Sequence, residues 1–164
     1  KIHICGFYFG GSMDKITSFC IDHDHLKKGL YISRIDGDIV TYDMRMCEPN
    51  QGDYLQNAPL HTFEHLLATY VRNTKYRDDV IYAGPMGCRT GFYFLCRDKI
   101  KGEEVIALLQ DACRFIEQFV GVVPGTQASS ECGNYLDHDL AGAKLYGKQY
   151  GEVIAHWQGK DLNY

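Results

Sequence analysis

The chain has 164 residues, 45% hydrophobic and 23% charged, the balance of an ordinary folded domain rather than of a disordered, collagen-like or membrane chain. At that length one core can bury roughly 70% of the unfolded surface, so a single domain suffices. With 17 Lys+Arg against 21 Asp+Glu the net charge is −4, which leaves no basic excess to neutralise phosphates and argues against nucleic acid as a partner.

No apolar run approaches the roughly 20 residues of a membrane helix, and none has the flanks of a secretory signal, so the chain reads as soluble and without a membrane partner. Seven cysteines at irregular spacing cannot all pair within one chain, and they fit a reducing cytoplasm.

In chain order, residues 1–12 read as an appended stretch or a loose arm before Met13, leaving 13–164 as the single domain. Leu30–Ile35 and Ile39–Met46 are predicted strands joined at Asp36-Gly37-Asp38, a hairpin signal. In the second strand Val40, Tyr42, Met44 and Met46 share one face, with Thr41, Asp43 and Arg45 on the other. A loop over Glu48–Asn57 leads to a helix predicted from Pro59 to about Asn73, the proline in its first turn. Asp79–Ala83 and Phe92–Cys96 read as strands around the loop Gly84–Gly91. Glu103–Val120 is an amphipathic helix with Val105, Leu108, Leu109, Ala112, Ile116 and Phe119 inward and Gly121 as its stop. A last helix, capped by Asp139, carries Leu140, Ala143, Tyr146, Tyr150, Val153, Ile154 and Trp157, and its glycines at 142, 147 and 151 permit close packing on a neighbour. This order is not a βαβ alternation; it predicts an α+β fold in which helices cover an antiparallel sheet.

Chemistry concentrates on the first predicted helix, where His61, Glu64, His65, Ala68 and Arg72 form one stripe and Phe63, Leu66, Leu67 and Tyr70 the opposite one. Two imidazoles one turn apart can bind one metal ion, and Glu64 beside them can ligate, act as a general base or orient a histidine. Two solvated histidines on a helix face fit the same spacing. A metal site needs a third ligand from the other histidines and cysteines. Cys132, in the polar loop Glu131–Tyr135, would complete a set with one coordination position open, as catalytic sites have; an unremarkable loop thiol fits that loop equally. Cys88 lies between Gly87 and Arg89 in a turn, where the cation favours a reactive thiolate, although a turn cysteine chosen for its small size accounts for it as well. Cys96 and Cys113, in apolar stretches, read as inert.

Read in succession, Ser18-Phe-x-x-Asp-His23, Tyr42-Asp-Met-Arg45-x-Cys-x-Pro-Asn50, His61-Thr-x-Glu-His65, Pro85-Met-Gly-Cys-Arg-Thr-Gly-Phe-Tyr93 and Cys132-Gly-Asn-Tyr135 resemble the motifs of the S-ribosylhomocysteine lyases, the LuxS proteins, from about Lys15 to Trp157. The resemblance implies a metal held by His61, His65 and Cys132, with Glu64 and Cys88 as acid/base residues. It implies Fe(II), one per subunit and replaceable by zinc or cobalt, and a homodimer with active sites at the subunit interface. Ser18, His23 and Arg45 match the substrate pocket, and Arg89 is counted with them as a substrate contact. The implied reaction converts S-ribosylhomocysteine to homocysteine and 4,5-dihydroxy-2,3-pentanedione, the precursor of the autoinducer-2 quorum signal.

One position departs: Tyr82 stands where the family carries an aspartate six residues before the reactive cysteine, so the substrate is held differently or the activity is altered. Two rival readings follow from the same residues. His61-Thr-Phe-Glu-His65 also matches the H-x-x-E-H pattern of inverted zinc metallopeptidases, though 164 residues is short for that class and the cysteines would be idle. The other rival is a metal- or ligand-binding module in which Tyr82 has ended catalysis.

Overall fold

The computed structural model describes residues 14–16 and 19–164; the suggested arm over residues 1–12 and the candidate Ser18 lie outside them. Strands β1 (Gly29–Asp36) and β2 (Ile39–Arg45) pair antiparallel with Asp36 opposite Ile39, so Gly37 and Asp38 alone make the turn. Gly37 sits at φ +61°, a conformation that a side chain disfavours and that the Asp-Gly-Asp signal anticipates. After helix α1 (Asn57–Val71), β3 (Val80–Pro85) and β4 (Gly91–Arg97) form a second antiparallel pair. β4 also pairs with β2, giving one four-stranded sheet in the order β1-β2-β4-β3. Helices α2 (Gly102–Gln118) and α3 (Leu140–Ile154) follow, then a 3-10 turn over Gly159–Asp161. The architecture is the expected α+β domain with an antiparallel sheet.

Period-two alternation decides which sheet face is apolar. Leu30, Val40, Tyr42, Met44, Phe92, Phe94 and Cys96 enter a core shared with Phe63, Leu66 and Leu67 of α1 and Leu109, Ala112 and Ile116 of α2. Burial pushes the Cys96 and Cys113 thiols up to about 12, so both are inert as expected. α3 packs on α2 through its glycines: a Cβ at Gly147 would lie 3.1 Å from both the Cys113 carbonyl oxygen and the Glu117 nitrogen. Asp139 caps α3 as its sequence position predicts, accepting from the Gly142 N–H at 3.0 Å.

Expectations at the helix ends are revised. Trp157 lies beyond the end of α3, because the helix stops at Ile154 and the chain turns back so that the indole N–H donates to the Leu30 carbonyl at 2.8 Å. Both ends of α1 fall two residues earlier than predicted, with Pro59 still inside the first turn. The polar face of β2, on which Asp43 and Arg45 fall as expected, is also covered: the two residues are 1% and 2% exposed. They are covered by the turn before β4 and by Tyr164, whose hydroxyl donates to Asp43 Oδ2 at 2.9 Å.

Where β2 and β4 meet, a Cβ on Gly91 would overlap the Met44 carbonyl oxygen of the paired strand. Neither backbone can give way within a sheet. Gly91→Ala is therefore expected to cost about 1–3 kcal/mol, read as a lower urea midpoint at unchanged slope.

Candidate metal centre

α1 buries Phe63, Leu66 and Leu67 and leaves His61, Glu64 and His65 half-buried on the opposite side, as the two stripes predict. The segment between α2 and α3 comes up against that side. His61 Nδ1 is 2.9 Å from the Asp137 carbonyl, and His65 Nδ1 is 2.7 Å from the Pro124 carbonyl. A carbonyl can only accept, so each Nδ1 carries its proton and each Nε2 is left with a free lone pair. The same segment delivers Cys132, whose Sγ stands 3.4 Å from His61 Nε2 across 71 residues of sequence.

A fourth residue, His138, joins them. Its Nδ1 is 3.0 Å from Thr62 Oγ1, and that hydroxyl is 3.0 Å from the Ala58 carbonyl, to which it donates, while accepting from the Asp139 N–H. With its one proton committed to Ala58, Thr62 must accept from His138, so the His138 proton is also on Nδ1. Its Nε2 is buried and has no hydrogen-bond partner among the described residues. Burial, and then His61 and His65 nearby, hold His138 below the usual histidine range and favour the neutral ring.

One ligand atom from each of His61, His65, Cys132 and His138 lies within 4.8 Å of the others. Three imidazole nitrogens with free lone pairs and one sulfur suit a divalent first-row metal, and each imidazole is oriented by an outer acceptor in the manner of metal-bound histidines. An orphaned buried Nε2 is the mark of a ring that awaits such a partner. The residues thus fit a metal ion. His138 did not emerge from sequence reasoning; the one signal for it is its place beside the Asp139 cap, six residues after Cys132.

The other candidates collect elsewhere on the chain. Cys88 lies in the tight turn between β3 and β4 and is exposed. It opens on a cavity of about 350 Å³ also lined by His23, Arg45, Tyr54, Thr90 and Tyr93. His23 Nδ1 donates to the Ile21 carbonyl at 2.8 Å, which holds its ring at the cavity wall. None of His61, Glu64, His65 and Cys132 lines that cavity. Arg89, at φ +58°, is turned away from it, its guanidinium 3.5 Å from the Leu55 carbonyl. Glu64 instead borders an open cleft with Arg72 and Tyr82. Tyr82 follows a register irregularity in β3 between Val80 and Tyr82, a feature that re-aims a side chain, and is 48% exposed. The departure from the expected aspartate therefore faces the Glu64 side of the molecule.

A family model described as S-Ribosylhomocysteinase (LuxS) matches residues 16–161. The chain belongs to the LuxS family. Among its relatives, the S-ribosylhomocysteine lyase of Porphyromonas gingivalis is 46% identical over 158 residues, covering 93% of this chain and 99% of that protein. The S-ribosylhomocysteine lyase of Clostridium acetobutylicum is 42% identical over 157 residues with the same coverage of both chains. That of Borrelia garinii is 38% identical over 157 residues, again covering 93% and 99%. LuxS membership spans nearly the whole chain, so the metal-donor cluster and the Cys88 cavity both fall within the shared domain. Among the described residues no helix is long and apolar enough to cross a membrane.

Proposed function

We propose that this LuxS chain is a metal-dependent lyase that cleaves S-ribosylhomocysteine to homocysteine and 4,5-dihydroxy-2,3-pentanedione. The observation that carries the reading is the convergence of the ligand atoms of His61, His65 and Cys132 on one point, in a chain of this family. The metal is Fe(II), which zinc or cobalt can replace, and the enzyme works in the cytoplasm as a homodimer. Its second product supplies the autoinducer-2 quorum signal.

His61, His65 and Cys132 hold the metal, which when bound supplies Lewis acidity to the sugar oxygens and makes the adjoining C–H bonds more acidic. The chain's own residues move the protons. In the open-chain sugar, a base takes the C2 proton and returns one to C1, moving the carbonyl to C2; the same exchange between C3 and C2 moves it to C3. Cys88, exposed in its turn and opening on the substrate cavity, serves these early transfers. Glu64, on the histidine side of α1, serves the later ones, removing the C4 proton so that the electron pair forms the C4–C5 double bond and expels the homocysteine thiolate from C5. His23 and Arg45 line the pocket that takes the sugar, and Ser18 serves with them in holding the substrate, whereas Arg89, turned toward the Leu55 carbonyl, is not placed at that cavity. Tyr82 replaces a carboxylate on the Glu64 side, so the substrate's polar groups there meet a neutral phenol.

None of the metal donors lines the cavity at Cys88, which supports a site shared between two copies of the chain, one giving the metal and Glu64 and the other giving Cys88 and its pocket. The direct test is thiol release from S-ribosylhomocysteine by anaerobically prepared, Fe(II)-loaded protein beside a chelator-treated sample. Release by the loaded protein alone is expected. Absence of release from folded, metal-loaded protein would overturn the assignment and favour a ligand-binding role.

A further inference from the structure

The cavity side of the molecule contains a continuous polar chain whose middle members, Asp43, Arg45 and Thr90, are buried on the second face of the sheet. Tyr164 Oη donates to Asp43 Oδ2 at 2.9 Å. The same carboxylate oxygen accepts from Arg45 Nη2 at 2.5 Å, and Arg45 Nη1 donates to Thr90 Oγ1 at 2.5 Å. Thr90 Oγ1 is in turn 3.1 Å from Cys88 Sγ. Thr90 is 2% exposed although it lines the cavity, so its hydroxyl is largely shielded from water.

The protons along this chain have few choices. A guanidinium only donates, so the Thr90 oxygen is an acceptor toward Arg45, and the hydroxyl proton is left to point elsewhere. Among the described residues its other hydrogen-bond contact is with the Cys88 sulfur, to which the hydroxyl donates when that sulfur is a thiolate. A hydroxyl donating to a sulfur stabilises the thiolate over the thiol, because the bond strengthens when the acceptor is charged. Arg45 contributes its charge to the same end, while its direct hydrogen bonds go to Asp43 and Thr90 rather than to the sulfur. Burial opposes its charge, but Asp43 and, less strongly, Cys88 and Tyr164 outweigh that and hold the guanidinium above its ordinary value, so Arg45 stays charged and the Asp43 carboxylate beside it offsets part of the field that reaches the sulfur.

We propose that Thr90 is a positioning residue for Cys88: held as an acceptor by the buried Arg45–Asp43 pair, it gives its proton to the Cys88 sulfur and so both orients the thiolate and stabilises it. This rests on the reading of Cys88 as an acid/base residue of the lyase. Tyr164 and Asp43 act one step further out, by keeping Arg45 aimed at Thr90. The other titratable groups around the sulfur come from separate elements: Arg45 and, behind it, Asp43 on β2, Tyr93 on β4, Tyr54 from the loop before α1, His23 from the segment before β1, and Arg89 in the turn itself. Of these, Arg45, Tyr93, Tyr54 and His23 share the cavity with Cys88, and Thr90 is the group within hydrogen-bond reach of the sulfur.

The test reads the thiol without the lyase reaction. The rate of iodoacetamide alkylation at Cys88 is measured against pH in the full chain, with peptide mapping to separate it from the exposed Cys20. Thr90→Val is expected to raise the midpoint of the profile by about one to two pH units and to slow alkylation below it by roughly tenfold or more. Thr90→Ser, which keeps the hydroxyl, should restore the wild-type profile. A Thr90→Val profile superimposable on the wild type in folded protein would overturn the proposal, as would a Thr90→Ser profile shifted as far as that of valine. If Thr90→Val does not fold, the serine variant and a Tyr164→Phe variant, which loosens the far end and should shift the midpoint in the same direction by less, still decide the matter. Loss of thiol release by the wild type would count against the lyase reading alone, since the alkylation profile does not depend on metal or substrate.

Discussion

A heterodimer of Glu64→Gln and Cys88→Ala chains should be about half as active as the wild type, although each variant alone should lose roughly 10²–10⁴-fold in thiol release. The expectation follows from where the two groups lie. Cys88 opens on a cavity with His23 and Arg45, and Glu64, next to His65 on α1, borders a different cleft with Arg72 and Tyr82. If each site takes Glu64 from one subunit and Cys88 from the other, the heterodimer has one site with both substitutions and one site with neither. If instead both groups of a site came from one chain, every site would carry one substitution and the heterodimer would be as inactive as its parents. Chains with two different affinity tags allow the heterodimer to be purified away from both homodimers. Both single variants should keep their metal, because neither residue is among the four converging donors. Near-normal turnover of Glu64→Gln would sink its acid/base role.

Cys132→Ser should release the metal. The sulfur is the one donor of the cluster that can bind as an anion at neutral pH, and a serine hydroxyl keeps its proton there. Three neutral imidazoles would remain. Affinity is expected to fall by at least about 100-fold, a loss beyond the effect of outer-shell substitutions. Metal content after dialysis against a chelator that the wild type withstands is the readout, with circular dichroism to verify the fold. The fold should survive, because Cys132 lies in a half-exposed loop and its sulfur packs into no part of the core. Full retention of metal by the serine variant would mean that another residue completes the site, and His138 is placed to do so.

Much of the site could be read in one dimension because its parts are local patterns. The i, i+4 pair His61 and His65 falls on one face of any helix, and the opposite stripe Phe63, Leu66 and Leu67 dictates which face is turned from the core. Cys88 was a candidate from its turn and its neighbour Arg89, and Cys96 and Cys113 read as inert from their apolar surroundings, which in the fold push both thiols up to about 12. The hairpin at Gly37 and the Asp139 cap follow equally from local chemistry. Cys132 was a candidate from its loop composition, but nothing in its neighbourhood says that the loop passes over α1.

The amino-acid sequence by itself determined the elements, the apolar faces and the residue types that can carry the chemistry, since periodicity, turn residues and caps act over a few positions. Only the tertiary structure decided which of those residues meet. His138 reaches the cluster through a hydrogen bond to Thr62 that spans 76 residues, and the polar face of β2 is buried because Tyr164 returns across 121 residues to Asp43. Such contacts depend on how helices and loops stack against the sheet. That stacking is set by the summed packing of the core, and no local pattern records it.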